Sequence, residues 1–322
     1  MPNDVFIKNF GSEANYQQEL DGHAFLAEYT DRIPKIISTK FEPGNFAITY
    51  EQVIGPGVQM VSDAINTHED VDLSALLTDM ATVTRDHAGT RQAGGGTRLF
   101  YLDRLPRLDT PDIRVIHKGL MQNGILPRID NSQESLRGSL LDDVAAQVST
   151  FNIGLCVPSL GDFHERNVFT NGILVDFEGA GWNHVATDVA TFIWHTLFVG
   201  NYLGPKYAKW SVDKDKDWLR TTPPQLYVTD GVVHLEISAG RRKLLKDYLR
   251  LYFNPIAGGM VSDKDVLFAM AFRLLTVFPV NEMSNDDQRI VFAISNFLTR
   301  GGLSLREALR SFDEDLEAGF RI

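Results

Sequence analysis

The sequence predicts an α+β fold with a small strand-and-helix layer at the amino terminus and a large, mainly helical remainder, either one large domain or two lobes sharing a cleft. Three observations lead there. A chain of 322 residues, 43% of them hydrophobic, is long enough for a substantial core. Extended runs crowd the first 57 residues and end in the punctuation Gly55-Pro56-Gly57, which reads as a lobe boundary. From residue 58 to 322 the hydrophobic spacing is dominated by helical periods.

The run DVFIKNF alternates well enough for a first strand, and the stretch ANYQQELDGHAFLAEYTDRI after it has a helical period, closed by Pro34. Tyr16, Leu20, Ala24 and Ala27 fall on one face of that helix. NFAITYEQVIG is a second extended run. Further on, SLLDDVAAQVSTF reads as a helix, and four more are expected between residues 236 and 318. The stretch from Arg85 to Asp130, with the triplet Gly94-Gly95-Gly96, has mixed signals and is expected to contain a mobile loop.

Composition removes several classes of function. The formal charge is −11, from 31 basic and 42 acidic residues, and no Lys/Arg cluster is suited to neutralising the phosphates of a nucleic acid. No segment reaches the ~20 apolar residues that span a bilayer, and the first ten residues lack a basic flank followed by an apolar run. A cytoplasmic protein without nucleic-acid or membrane partners is expected. The one cysteine, Cys156, lies in the apolar run GLCVP and is expected to be buried and inert.

The most informative segment is residues 159 to 192. Its centre, VFT-NG-ILV, places Asn171-Gly172 between two β-prone runs, the local signal for a two-residue type I′ hairpin. That turn would pair 170 with 173 and hence Asn167 with Asp176, their Cβ atoms ~5 Å apart on one face. An amide oxygen and a carboxylate held so close are a half-site for a hard cation such as Mg²⁺, which prefers few protein oxygens plus water and phosphate. Asp162, five residues before Asn167, lies in the loop entering the hairpin.

The order Leu160-Gly161-Asp162-Phe163-His164-Glu165-Arg166-Asn167, then Val175-Asp176-Phe177-Glu178, then Asp188-Val189-Ala190 resembles the aminoglycoside phosphotransferase and choline kinase family, which has a protein-kinase-like fold. The family pattern is H-G-D-x-H-x-x-N, then I-D-[FW]-E, then D-[LV]-A; Leu160 departs from it where the family usually has histidine. The resemblance implies a protein-kinase-like, two-lobed fold with a shortened amino-terminal nucleotide-binding lobe, residues 1–57, and a helical lobe, residues 58–322. It implies transfer of the γ-phosphate of ATP or GTP to a hydroxyl of an amino sugar, sugar or choline-like alcohol. Asp162 would be the catalytic base, Asn167 and Asp176 the Mg²⁺ ligands, His164 a structural member of the loop, and Asp188 the brace of that loop. An alternative for Asp188 is a simple acid at a helix start.

On the nucleotide side, Lys8 resembles the strand lysine that contacts the α and β phosphates, and Glu19 its ion-pair partner, with Glu13 as a substitute. The run ITYEQVIG resembles the hinge between lobes, where backbone groups near Glu51 and Val53 would meet the base. The family's glycine-rich phosphate loop is not found before Lys8, and RQAGGGTR, Arg91 to Arg98, is the internal candidate to replace it. Two other readings stand beside this one. Gly161-Asp162-x-His164 also fits the start of a two-metal phosphoesterase, for which His164, His184, His195 and His234 would have to be recruited. A noncatalytic, kinase-like binding module is the other.

Overall fold

The computed structural model describes residues 5–52, 55, 57–67, 70–123, 126–129, 135–207 and 226–320. It is a mixed α/β structure, mostly helical, with three small sheets. The first sheet has strand order β1-β3-β2, from Val5–Phe10 (β1), Ile36–Glu42 (β2) and Asn45–Glu51 (β3), all antiparallel. One helix, α1 (Glu13–Leu26), packs on this sheet; the Ser12 hydroxyl caps it by accepting from the Asn15 N–H.

The helix is shorter than its periodic stretch, and its buried face differs from the expected one. Tyr16, Glu19 and Leu26 are buried, whereas Ala24 and Ala27 are exposed. The reason is electrostatic: the buried carboxylate Glu19 rotates the buried face toward Gly22 and Leu26 and away from Ala24 and Ala27.

Residues 58–62 tie this layer to the rest of the chain through main-chain hydrogen bonds from Val61 N to Val168 O and from Ser62 N to Glu165 O. Helices α2 (Val61–Asn66) and α3 (Ser74–His87) follow, then a second antiparallel sheet of order β4-β5-β6, from Gly89–Gln92 (β4), Ile153–Ser159 (β5) and Gly181–His184 (β6). Up to residue 123, the stretch expected to hold a mobile loop forms β4, α4 (Gly95–Phe100), a 3₁₀ segment Leu102–Asp109 and α5 (Pro111–Asn123). Its glycines serve close packing, as shown below.

At the centre of the helical body lie α6 (Leu140–Ser149), α7 (Val185–Trp194) and the helix Asp263–Thr276. Every residue of α7, and every residue from Val266 to Thr276, is buried, so these helices have no solvent-facing side there, as befits a core position. The second helix includes Arg273, a buried cation that must find its partners inside the protein. Around this pair stand the helices Ala239–Tyr248, Asn285–Leu298 and Leu305–Phe312. Among the described residues no helix is long and apolar enough to cross a membrane.

Candidate active site

The site is built on the loop that leaves β5. Gly161 has φ 73°, and a Cβ there would lie 2.1 Å from the Gly179 carbonyl oxygen, so only glycine lets the chain turn against its neighbour. Gly96 presses on the same place: its N–H donates to Gly179 O at 2.6 Å, and a Cβ on it would meet Gly161 O at 2.5 Å. Asn183, fully buried, fastens these strands together, accepting from the Thr97 N–H and donating to the Ser159 and Gly179 carbonyls.

Two glycines of the triplet, Gly95 and Gly96, are therefore spent on protein backbone, and the idea that RQAGGGTR replaces a phosphate loop fails on this geometry. Arg91 stacks on Trp182 with its guanidinium 3.4 Å from the ring centre, and Arg98 reaches outward toward Asp103.

Asp162 follows Gly161 and is held by three groups. Arg273 Nη2 donates to its Oδ1 at 3.2 Å, His164 Nε2 lies 3.4 Å from its Oδ2, and its main-chain carbonyl accepts from Asn167 Nδ2 at 2.9 Å. Burial alone would raise its pKa, but His164 and Arg273 outweigh it and hold the carboxyl well below the usual range. His164 Nδ1 accepts from the Arg166 N–H, so in the neutral ring Nε2 carries the proton and faces Asp162. Behind it, the His195 ring stacks on His164 at 3.9 Å, and His195 is bound to the buried Glu165, which also pairs with Arg241. This support was not legible in the sequence.

The hairpin forms, but not in the expected register. Phe169 N donates to Ile173 O, Gly172 N to Phe169 O, and Val175 N to Asn167 O, and Val168 bridges Leu174. The loop thus holds three residues, Thr170 to Gly172, with only Gly172 of the Asn-Gly pair at positive φ, 81°, instead of the two-residue type I′ turn. Asn167 lies opposite Val175, not Asp176. A one-residue slip in a strand pair sends side chains to the other face, and Asp176 departs from the strand conformation: its φ is 68°. With that reversal Asn167 and Asp176 border the same two cavities.

Asp176 and α1 meet through Lys8 of β1. Its ammonium lies 2.9 Å from Glu19 Oε2 and 2.5 Å from Asp176 Oδ1. Burial works against the charged amine, yet Asp176 and Glu19 prevail and raise its pKa. Glu19 is fully engaged, accepting from Tyr50 OH and the Phe177 N–H, both at 2.9 Å. Glu13, the weighed substitute, is exposed.

Two cavities converge on this constellation. One, of about 420 Å³, lies between the first sheet and the hairpin and is lined by Phe6, Lys8, Tyr50, Glu51, Asn167 and Asp176 among others. Val53, paired with Glu51 in the sequence reading, lies outside the described residues. The second, of about 500 Å³, is lined by Asp162, His164, Asn167, Asp176, Glu178, Arg273, Arg104 and Arg107 among others. Arg166, Asn167 and Asp176 border both.

Asn167 Nδ2 is turned to the Asp162 carbonyl, which leaves Oδ1 as the acceptor on that side chain. With the Asp176 carboxylate it makes an all-oxygen donor pair of the kind that suits Mg²⁺ with waters and phosphate completing the shell. Glu178 is a further carboxylate; burial first and the neighbouring Asp176 next push its pKa up to about 7. Sequence reading quoted Glu178 within the motif but gave it no role, and missed Arg273 altogether, 111 residues away from Asp162 and without any local signature.

Asp188 sits in the first turn of α7, accepting from Ser159 Oγ at 2.9 Å and from Tyr252 OH at 3.4 Å. Burial pushes its pKa up to about 6, against the hydrogen bonds of Ser159, Tyr252 and the Gly161 backbone. It thus touches both ends of the turn that presents Asp162. Of the histidines considered for a two-metal centre, only His164 and His195 come together; His184 stacks on Phe151 and caps α7, while His234 stacks on Tyr227 in a separate hairpin. Among the described residues no three or more His, Cys, Asp or Glu side chains are grouped to hold a metal.

No family model matches the chain, and no curated protein matches it. Among solved structures the chain is similar to a glucosamine kinase (crystal form B), with 13% sequence identity and a TM-score of 0.44 over 91% of this chain and 72% of that one.

Proposed function

We propose that this protein is a small-molecule kinase with a two-lobed, protein-kinase-like arrangement, residues 1–57 belonging to the nucleotide lobe and 58–322 to the helical lobe. The observation that carries the reading is the meeting of two cavities at Arg166, Asn167 and Asp176, with Lys8 in one and Asp162 in the other. A nucleoside triphosphate, ATP or GTP, in the first would put its terminal phosphate at the junction, and a hydroxylated acceptor in the second would face it.

Each residue then has a part. Lys8, aligned by Glu19, binds the inner phosphates, and the β3 end at Glu51 borders the base. Asn167 and Asp176 would hold Mg²⁺, which supplies charge neutralisation on the phosphates when bound. Asp162 accepts the hydrogen bond of the acceptor hydroxyl and orients it. Because Arg273 and His164 keep this carboxylate strongly ionised, it is a weak base; it receives the proton after the new oxygen–phosphorus bond has acidified the hydroxyl. The bond to the leaving nucleoside diphosphate breaks in the same displacement, and the proton then leaves Asp162 to solvent.

A binding-only module draws on one observation: Asp162 and Asp176 are both already paired with cations, Arg273 and Lys8. The two readings part in a transfer assay with γ-labelled ATP, Mg²⁺ and a panel of hydroxylated metabolites. Label appearing in a product with wild type, and not with Asp162→Asn, supports the kinase. Tight ATP binding with no transfer to any acceptor supports the module.

A further inference from the structure

The second cavity has an unusual charge distribution at the end away from Lys8. Arg104 and Arg107, on the 3₁₀ segment Leu102–Asp109, line it together with Arg273. Arg104 is half-buried, its guanidinium 5.2 Å from the centre of the Phe100 ring, and it has no carboxylate partner among the described residues. Arg107 donates to the Thr276 carbonyl, again with no carboxylate.

The two acids of the same segment turn elsewhere: Asp103 toward Arg98, Asp109 toward Arg114. Arg273 is 4% exposed, has Trp194 at 4.4 Å and Phe100 at 5.2 Å from its guanidinium, and gives only Nη2 to Asp162. Its Nε and Nη1 are buried without a hydrogen-bond partner. Three guanidiniums thus share one cavity end with one carboxylate between them. Arg104 registers the crowding: burial, then Arg273, then Arg107 push its pKa down to about 10.

Three cations gathered in a concave, aromatic-lined site around a single carboxylate call for an anion from outside. Resting on the kinase reading above, we propose that the acceptor is a hydroxylated acid, a small polyol or sugar with a carboxylate or phosphate group. Its acidic group docks on Arg104 and Arg107 while its hydroxyl faces Asp162. Arg273 is a positioning residue, fixing Asp162 from behind. An amino sugar or choline-like cation would meet like charge at this end of the cavity.

The test uses four probes of one skeleton: gluconate, glucose 6-phosphate, glucose and glucosamine. Their binding is measured by calorimetry without nucleotide, and their phosphorylation with Mg-ATP, on wild type and Arg104→Gln. The expected result is that at least one acid binds about tenfold or more tighter than the neutral and cationic sugars, and that Arg104→Gln removes that margin. The variant should raise KM for the acid while leaving KM for ATP unchanged. Preference for gluconate over the phosphate, or the reverse, tells which acidic group the site takes. Binding of an acid, lost in the variant but without transfer to any probe, keeps the anion subsite and sinks the kinase reading. Transfer that favours glucose or glucosamine keeps the kinase and overturns the subsite, and so does the absence of binding by either acid.

Discussion

Two hairpins in this molecule begin from nearly the same sequence signal and end differently. The one between β7 (Leu226–Thr229) and β8 (Val232–Leu235) turns on Asp230-Gly231, both left-handed at φ 53° and 73°, with Thr229 directly opposite Val232. This is the two-residue turn that such a pair demands. The hairpin after Asn167 turns on Asn171-Gly172 but takes three residues, and its left-handed aspartate is Asp176, five residues beyond Asn171. At Asp230 the turn itself requires positive φ. At Asp176 no turn does, and a non-glycine residue held there costs about 1 kcal/mol or more. What over-determines Asp176 is its surroundings, Lys8 and the Glu19-bound Phe177 N–H. Strain in the first hairpin serves folding; in the second it serves the aim of a carboxylate.

The sharpest way to break that contrast is chemical. Asp162→Asn keeps the loop's shape, since its main-chain bond to Asn167 is untouched, but removes the charge that we propose orients the acceptor hydroxyl. Turnover should fall by about 10²–10⁴-fold, with nucleotide affinity nearly unchanged in a titration. Near-normal turnover would remove Asp162 from the reaction.

Next in size is the paired substitution Asp176→Gly and Asp230→Gly. Glycine relieves positive φ at both positions. Transfer should drop to background in the first and stay at the wild-type rate in the second, while thermal melts show neither variant losing more than about 1 kcal/mol. A large destabilisation by Asp176→Gly would mean that Asp176 is a structural residue.

A smaller effect concerns pH. Glu178 has a folded-state pKa of about 7 against an ordinary 4.5, so between those values the folded protein binds protons that the unfolded chain has released. Stability from this group is therefore full below about pH 4.5 and lost as pH rises to about 7. Glu178→Gln should flatten that part of the stability–pH curve relative to wild type, as read by denaturant melts at pH 4.5, 6 and 8. An unchanged slope would place Glu178 in solvent.

How far the sequence carried this account depends on the range of each interaction. The loop and hairpin residues were legible because Asp162, Asn167 and Asp176 lie within fifteen positions and an Asn-Gly pair marks the turn. The register was not: Asn-Gly suits both a two-residue turn and a three-residue loop closed by a left-handed glycine, and packing against Gln59 and Met60 chooses between them. The α1 face was misread because Glu19 is buried by Lys8 and Tyr50, a pairing that no apolar count foresees. Arg273 and Arg104 were invisible for a like reason. Each is a charged residue in a helical segment with no local motif around it, and only the tertiary fold carries it to Asp162 or into the cavity.

The claim that the two cavities meet at a phosphoryl-transfer site is tested most directly by titrating ATP into the wild type and Asp176→Ala, each with and without Mg²⁺. The predicted result is binding to the wild type that is strengthened by Mg²⁺, and loss of the Mg²⁺-dependent part in Asp176→Ala. Wild-type affinity that is indifferent to Mg²⁺, or equal Mg²⁺ dependence in the variant, would contradict it.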